Sequence, residues 1–201
     1  MANASIDFFE RQFRAQLARR DFALNPFEQA ALPFVGGRVL DLGCGLGNLA
    51  LAAARKGAQV VAVDASLPAV VHVVEVSRAE DLGVAAVYSD VTRYRLAGEY
   101  DTIVAIGLLM FLAREPALEL LSEIAHHVAP GGRAIVNVLV EGTTFMEMFD
   151  PQAFCLFGRD EIERHFAGWE IELSRHETFD APGSTRKEFS TVVARKPRAG
   201  V

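Results

Sequence analysis

The chain has 201 residues, with 26 acidic against 20 basic side chains, a net charge of −6 and 51% hydrophobic residues. That length suits one domain able to bury a core without metal or disulfide staples, and the hydrophobic fraction excludes a disordered chain. The acidic balance disfavours nucleic acid and anionic membranes as partners, because phosphate binding needs a clustered positive surface.

At the N-terminus, charged residues arrive before any apolar run, so no secretory leader is expected. Residues 1–34 read as helical, with Ile6, Phe9, Phe13 and Leu17 on one apolar face. This is either a helix packed on the core or a cap over a ligand. Arg11, Arg14, Arg19 and Arg20 read as its solvated side.

From residue 37 the pattern becomes strand–helix alternation. Strands are expected at 38–42, 59–63, 84–88, 100–106 and 133–140. Helices are expected at 46–56, from Pro68 to about 81, and from near Pro116 to a stop at Pro130-Gly131-Gly132. The continuous apolar strand runs fit a parallel sheet covered by helices on both faces. The longest uncharged run, 102–113, is shorter than the ~20 residues that span a bilayer, so it reads as buried interior. A short helix at 159–166 precedes strands at 169–178 and 187–195. The link between those two is too short for a crossover helix, which makes them antiparallel. Alternation puts Trp169, Ile171 and Leu173 on one side of the first of them, and Glu170, Glu172, Ser174 and His176 on the other. The expected architecture is one α/β, Rossmann-like, doubly wound sheet, mostly parallel with an antiparallel C-terminal strand and an N-terminal helical cap.

Asp41-Leu42-Gly43-Cys44-Gly45-Leu46-Gly47 follows the first strand and opens the first helix of the sheet. Glycines allow a sharp turn and close approach of a ligand to the backbone. Asp64 closes the second strand, where a carboxylate accepts ribose hydroxyls. A dinucleotide fingerprint needs a third glycine at 48, but that residue is Asn48 and the glycine falls at Gly47. Asp41 beside the loop would repel a pyrophosphate and welcome a cation. Asp41 with G-x-G-x-G therefore suits S-adenosylmethionine, which carries an ammonium and a sulfonium.

On these residues the chain resembles the class I S-adenosylmethionine-dependent methyltransferases over roughly 36–196, with 1–34 as a cap. Within them it resembles the tellurite-resistance (TehB-type) methyltransferases. The narrower likeness rests on Leu40-Asp41-Leu42-Gly43-Cys44-Gly45, Leu109-Met110-Phe111-Leu112, Pro130-Gly131-Gly132, Phe166-x-Gly168-Trp169-Glu170 and Ala194-Arg195-Lys196. The resemblance implies strand order 3-2-1-4-5-7-6. It implies that Asp41, Gly43, Cys44, Gly45 and Gly47 line the methionine end of the cofactor. It further implies that Asp64 holds the ribose, with Ala65 and Ser66 near the adenine, Asp90 and Val91 at the adenine amine, and Ile106 and Gly107 beneath the cofactor. By itself, Asp90 also reads as a turn cap.

Methyl transfer from a sulfonium needs alignment more than acid catalysis, and a soft nucleophile needs little base. The fourth strand ends Ala105-Ile106-Gly107-Leu108, not in the Asp/Asn-Pro-Pro-aromatic motif of adenine or glutamine amino methylation. Cys155 lacks the Pro-Cys context of cytosine C5 enzymes and reads as a buried small hydrophobe. Cys44 and Cys155 suggest neither a disulfide framework nor a metal site, and a reducing cytoplasm is expected. The acceptor should lie over the carboxyl ends of strands four to six, near 108–111, the loop 141–157 and the turn 179–185. Phe145, Met146, Met148, Phe149, Phe154 and Phe157 make that loop an apolar lid or plain core.

The resemblance implies His176 as a catalytic-side group for an oxyanion, and a longer turn leaves Arg186 as the second basic candidate. Glu177 departs from the family pattern, which has arginine there, and would repel tellurite or selenite. His126 and His127 read as solvated, and His72 and His165 as structural. The expected function is methyl transfer to a small molecule, either a chalcogen centre such as tellurite, selenite or a thiol, or an O- or N-acceptor. A nicotinamide-dependent oxidoreductase and a non-catalytic S-adenosylmethionine-binding module are the alternatives. The expected assembly is a monomer or homodimer with no metal.

Overall fold

A computed structural model describes residues 4–198. Helix α1 spans Ala4–Arg19 and α2 spans Pro26–Ala31, separated by non-helical residues 21–25. The expected helical segment is thus two helices, and the break has a local cause. Asn25 caps α2 by accepting the Glu28 N–H at 2.9 Å, Glu28 returns the favour to the Asn25 N–H at 2.8 Å, and Pro26 opens the first turn. Arg11, Arg14, Arg19 and Arg20 are all exposed.

The alternating region contains β1 (Arg38–Leu42), α3 (Asn48–Arg55), β2 (Gln59–Asp64), α4 (Leu67–Ala79) and β3 (Val84–Tyr88). It continues with β4 (Tyr100–Ile106), α5 (Arg114–His127) and β5 (Val128–Leu139). The tail contributes α6 (Glu161–His165), β6 (Glu170–Ala181) and β7 (Thr185–Arg195). The seven strands form one sheet in the order β3-β2-β1-β4-β5-β7-β6, with β7 antiparallel to both neighbours. No helix among the described residues is long and apolar enough to cross a membrane.

Two clusters cover the two sheet faces. Leu40, Ile103, Val136 and Val192 pack with Leu121 and Ile124 of α5. Val39, Val104, Ile135 and Val193 pack with Leu49, Ala50 and Ala53 of α3. Adjacent strand residues thus serve opposite layers, which is why Val39-Leu40, Ile103-Val104, Ile135-Val136 and Val192-Val193 are apolar in succession.

Two sequence expectations change. Pro130-Gly131-Gly132 does not end α5, because Val128 already turns the chain into β5. The three residues instead sit where the register slips between Tyr100↔Val128 and Thr102↔Arg133. Gly132 is needed there, since a Cβ would stand 2.8 Å from the Asp101 carbonyl oxygen. Second, β6 carries a register shift between Ile171 and Leu173, which pair with the adjacent residues Ala194 and Val193. Ile171 and Leu173 therefore face opposite sides, not the same side. The 141–157 segment, expected to be either an apolar lid or plain core, packs part of its length into the core. Phe145, Met148, Phe149 and Phe157 are buried, and the backbone is tied down by Glu141 N–H to the Phe157 carbonyl and Cys155 N–H to the Met110 carbonyl.

Candidate active site

The carboxyl ends of β1, β2 and β4 meet where the strand order reverses, between β1 and β4. The turn after β1 is built on positive φ, at +69° for Gly43, +53° for Gly45 and +71° for Gly47. The N–H groups of Gly43 and Cys44 both donate to the Val63 carbonyl, at 2.8 and 3.1 Å, which pins the turn to β2.

Asp64 completes the cradle. One carboxylate oxygen accepts the Gly45 N–H and the other the Ser66 N–H, each at 2.8 Å. Burial raises its carboxyl above the ordinary range, and those N–H donors pull it partly back. Each oxygen retains acceptor capacity beyond its one N–H. The Ser66 hydroxyl oxygen is buried without a partner among the described residues.

Asp41 is only 5% exposed, and no hydrogen bond or cation meets its carboxylate among the described residues. Burial raises its pKa well above the ordinary value, and repulsion from Glu28 and Asp64 adds to this. Burial also lifts Glu28. The same surroundings push the Cys44 thiol well up, and burial takes Cys155 to about 11, so neither thiol is a ready nucleophile.

A cavity of about 400 Å³ opens above this cradle. Of the expected cofactor residues, Asp41, Gly43, Cys44, Gly45, Asp64, Ala65, Ser66, Asp90, Val91, Ile106 and Gly107 all line it. Asp90 also serves its own turn, since one of its oxygens accepts the Thr92 N–H and hydroxyl at 2.9 and 2.8 Å. Gly47 is not on the wall. It caps α3, and a Cβ there would lie 2.5 Å from Val73 Cγ2, so its place is explained by packing against α4.

His176 and Arg186 are not brought to the cavity. In the antiparallel pair they sit opposite Ser190 and Asp180, on the sheet face away from Phe189 and Lys187. His176 approaches Asp160 at 3.6 Å, and Arg186 pairs with Glu188 at 3.1 Å. Glu177 lies opposite Phe189 and so shares the cavity's sheet face, but it does not line the cavity.

Several wall residues escaped the sequence reading. Phe27 and Glu28 come from α2, Asn137 and Leu139 from β5, and Lys187 and Phe189 from β7. Helix α1 supplies Ile6, Phe9 and Phe13 of its apolar face. The α2 pair carried a usable signal, because Asn-Pro-x-Glu is a helix start that fixes where Phe27 and Glu28 point. Strand alternation alone could not single out Lys187 over Arg186.

Residues 39–132 match a family described as "Methyltransferase domain". The chain is 31% identical over 166 residues to "Hemagglutinin 1" of Eikenella corrodens, covering 80% of this chain and 55% of that protein. It is 26% identical over 166 residues to "Probable S-adenosyl-L-methionine-dependent methyltransferase TehB" of Haemophilus influenzae, covering 79% and 57%. The chain thus spans a little over half the length of these curated relatives. Among solved structures, TehB from Haemophilus influenzae superposes with a TM-score of 0.74 at 22% identity, covering 96% of this chain and 67% of that one. The N-methyltransferase NodS from Bradyrhizobium japonicum gives 0.71 at 15% identity, covering 98% and 100%.

Proposed function

We propose that this chain, a member of the class I S-adenosylmethionine-dependent methyltransferases, moves a methyl group from that cofactor to a small acceptor with an apolar body. The observation that carries the reading is Asp41, a buried carboxylate that meets no cation among the described residues, beside a turn of three glycines. Such a group is costly unless a positive ligand arrives.

The residues present fit the cofactor. Asp41 would meet the ammonium of its amino-acid part, and Glu28 stands close enough to add to that field. The backbone at Gly43 and Gly45 would lie against it without a Cβ in the way. Asp64 would accept the ribose hydroxyls with the capacity its two N–H contacts leave free. Ala65, Ser66, Asp90 and Val91 would frame the adenine, and Ile106 and Gly107 would lie beneath. Bound there, S-adenosylmethionine supplies a methyl group on a positively charged sulfur that leaves as a neutral thioether. What remains for the protein is alignment and exclusion of water, and alignment alone can supply ~7–11 kcal/mol at best.

The cap formed by α1 and α2 serves that exclusion. Phe9 packs edge-on to Phe111 with ring centroids 4.9 Å apart, and Phe13 lies against Gly45. The Ser5 hydroxyl accepts the Asp150 N–H at 3.0 Å, tying α1 to the 141–157 segment. With the sheet region over 36–196, this makes one working unit. The acceptor end is walled by Phe27, Met110, Leu139, Met148 and Phe189, so an apolar body fits it better than a bare inorganic oxyanion. His176 and Arg186, the groups that suggested tellurite or selenite, face elsewhere.

Thermal melts with S-adenosylhomocysteine and with NAD test the cofactor, because only a ligand of the folded state raises the midpoint. Labelled S-adenosylmethionine offered with tellurite, selenite, thiols and phenols tests the acceptor. Turnover of a phenol or thiol but not the oxyanions is expected. Stabilisation by NAD alone would refute the reading.

A further inference from the structure

Lys187 is the one basic side chain among the described residues lining the cavity; Glu28, Asp41, Asp64 and Asp90 are its acidic ones. Its ammonium has no carboxylate partner among the described residues. It rests 4.6 Å from the centroid of the Phe145 ring, which holds a cation without neutralising it. Its neighbours Arg186 and Glu188 point to the other face and pair with each other. The charge at Lys187 is therefore left for something inside the cavity.

Asn137 is the complementary feature. It is fully buried, its Nδ2 donates to Thr191 Oγ1 at 2.8 Å, and its Oδ1 has no partner among the described residues. An unmet buried acceptor is costly and calls for a donor. Asn137 lies beside Gly107, whose N–H donates to its carbonyl at 3.0 Å, so it stands at the cofactor end of the acceptor space.

The two groups share a sheet face at a set spacing. Asn137 pairs with Thr191, and Leu139 with Phe189. Lys187 lies four residues beyond Thr191 on β7, roughly 13 Å along the strand at ~3.3 Å per residue. Between them the wall is Leu139 and Phe189, with Phe27 packed on Phe189 at 4.5 Å between centroids. The lining thus runs from a hydrogen-bond acceptor, over aromatic and aliphatic surface, to a lone cation.

We infer that the methyl acceptor is an apolar monocarboxylate, with its carboxylate seated on Lys187 and its hydroxyl or amine N–H aimed at Asn137. Partial burial lowers the Lys187 pKa, which fits an ammonium waiting for an anion. A monoanion suits one cation in a cavity otherwise lined by carboxylates, whereas a phosphate dianion would meet more repulsion than attraction. This rests on the methyltransferase reading above, and it adds Lys187 as the residue that selects the acceptor's charge.

The test uses the full chain saturated with S-adenosylhomocysteine. The probes are 4-hydroxyphenylacetate and 4-aminophenylacetate, their methyl esters, and sodium selenite, followed by calorimetry. The acids should bind at least tenfold more tightly than the esters, and selenite should not compete. Lys187→Met should erase the acid–ester difference, Lys187→Arg should retain most of it, and both should bind S-adenosylhomocysteine as the parent does. Equal binding of acid and ester, no binding of either acid, or competition by selenite overturns the inference. So does a Lys187→Met variant that loses S-adenosylhomocysteine affinity, because Lys187 would then hold the cofactor's carboxylate. Failure of the parent chain to bind S-adenosylhomocysteine would instead refute the methyltransferase reading, so the two failures are distinct.

Discussion

Asp64 accepts the Gly45 backbone N–H at 2.8 Å, so the end of β2 holds the glycine turn that follows β1. The same carboxylate accepts the Ser66 N–H at the start of α4. One side chain therefore organises two of the segments that border the cavity before any ligand is present.

Asp64→Ala removes both contacts. Hydrogen bonds to charged groups contribute about 1.5–3 kcal/mol, so a loss of that order is expected in denaturant melts. The affinity for S-adenosylhomocysteine should fall at least tenfold by calorimetry. Asp64→Asn, which keeps an acceptor oxygen, should recover part of both. Affinity within a few-fold of the parent in Asp64→Ala would remove Asp64 from the ribose site.

Asp41 makes the stability and the ligand affinity depend on pH in opposite directions. Its folded-state pKa is raised, chiefly by burial, then by Glu28 and Asp64. A carboxyl raised in the folded state favours folding while protonated, and that contribution fades as pH climbs through the folded value. The ligand-free protein should thus lose stability as pH rises above the ordinary carboxylate range. The ammonium of the cofactor's amino-acid part prefers the ionised form, so S-adenosylhomocysteine affinity should rise over that same window. Asp41→Asn should flatten both profiles, raising the melting midpoint of the free protein at neutral pH while weakening the ligand. Parallel profiles for parent and variant would contradict this account.

The glycines separate into packing and strain. At Gly47 an alanine would adopt φ near +71° and press its Cβ within 2.5 Å of Val73 Cγ2. Left-handed backbone costs about 1–2 kcal/mol and overpacking about 1–3, so Gly47→Ala should destabilise by about 2–5 kcal/mol. Gly57 has φ of +92° with open space around it, so Gly57→Ala should show the backbone cost alone. Gly36 has neither feature, and Gly36→Ala should be nearly neutral. Chemical denaturation of the three variants orders them, and a Gly57→Ala loss equal to that of Gly47→Ala would refute the packing role of Val73.

His176 and Arg186 offer the reverse test. Both project from the sheet face opposite Lys187. His176→Gln and Arg186→Gln should leave S-adenosylhomocysteine affinity and methyl transfer within about twofold of the parent. A hundredfold fall in kcat for either, with folding intact, would restore them to the acceptor site.

Much of the strand pattern was legible because a parallel strand buried on both faces must be apolar along its whole length. Arg38–Leu42 and Tyr100–Ile106 fall where the sequence puts them, and so does the half-buried edge strand Val84–Tyr88, which is marked by its alanines and β-branched residues. Pro130-Gly131-Gly132 misled because proline and glycine mark a break in direction without saying which kind. Here the preceding helix had already ended, and the glycines serve the irregular pairing of β4 with β5. The β6 irregularity was invisible for a related reason. A single register shift reverses the facing of every residue on one side of it, and no local pattern announces it.

The sequence by itself determined the individual strands, the glycine turn and the two carboxylates that border it, because these depend on the residue pattern within short stretches of chain. Only the tertiary structure decided the acceptor end. Phe27, Asn137 and Lys187 come from segments far apart in sequence and meet through the position of β7 between β5 and β6 and the folding of α2 over the sheet edge. Which of two neighbouring basic residues, Arg186 or Lys187, faces the cavity is set by the pairing of β7 with β5, a register that a strand cannot choose alone.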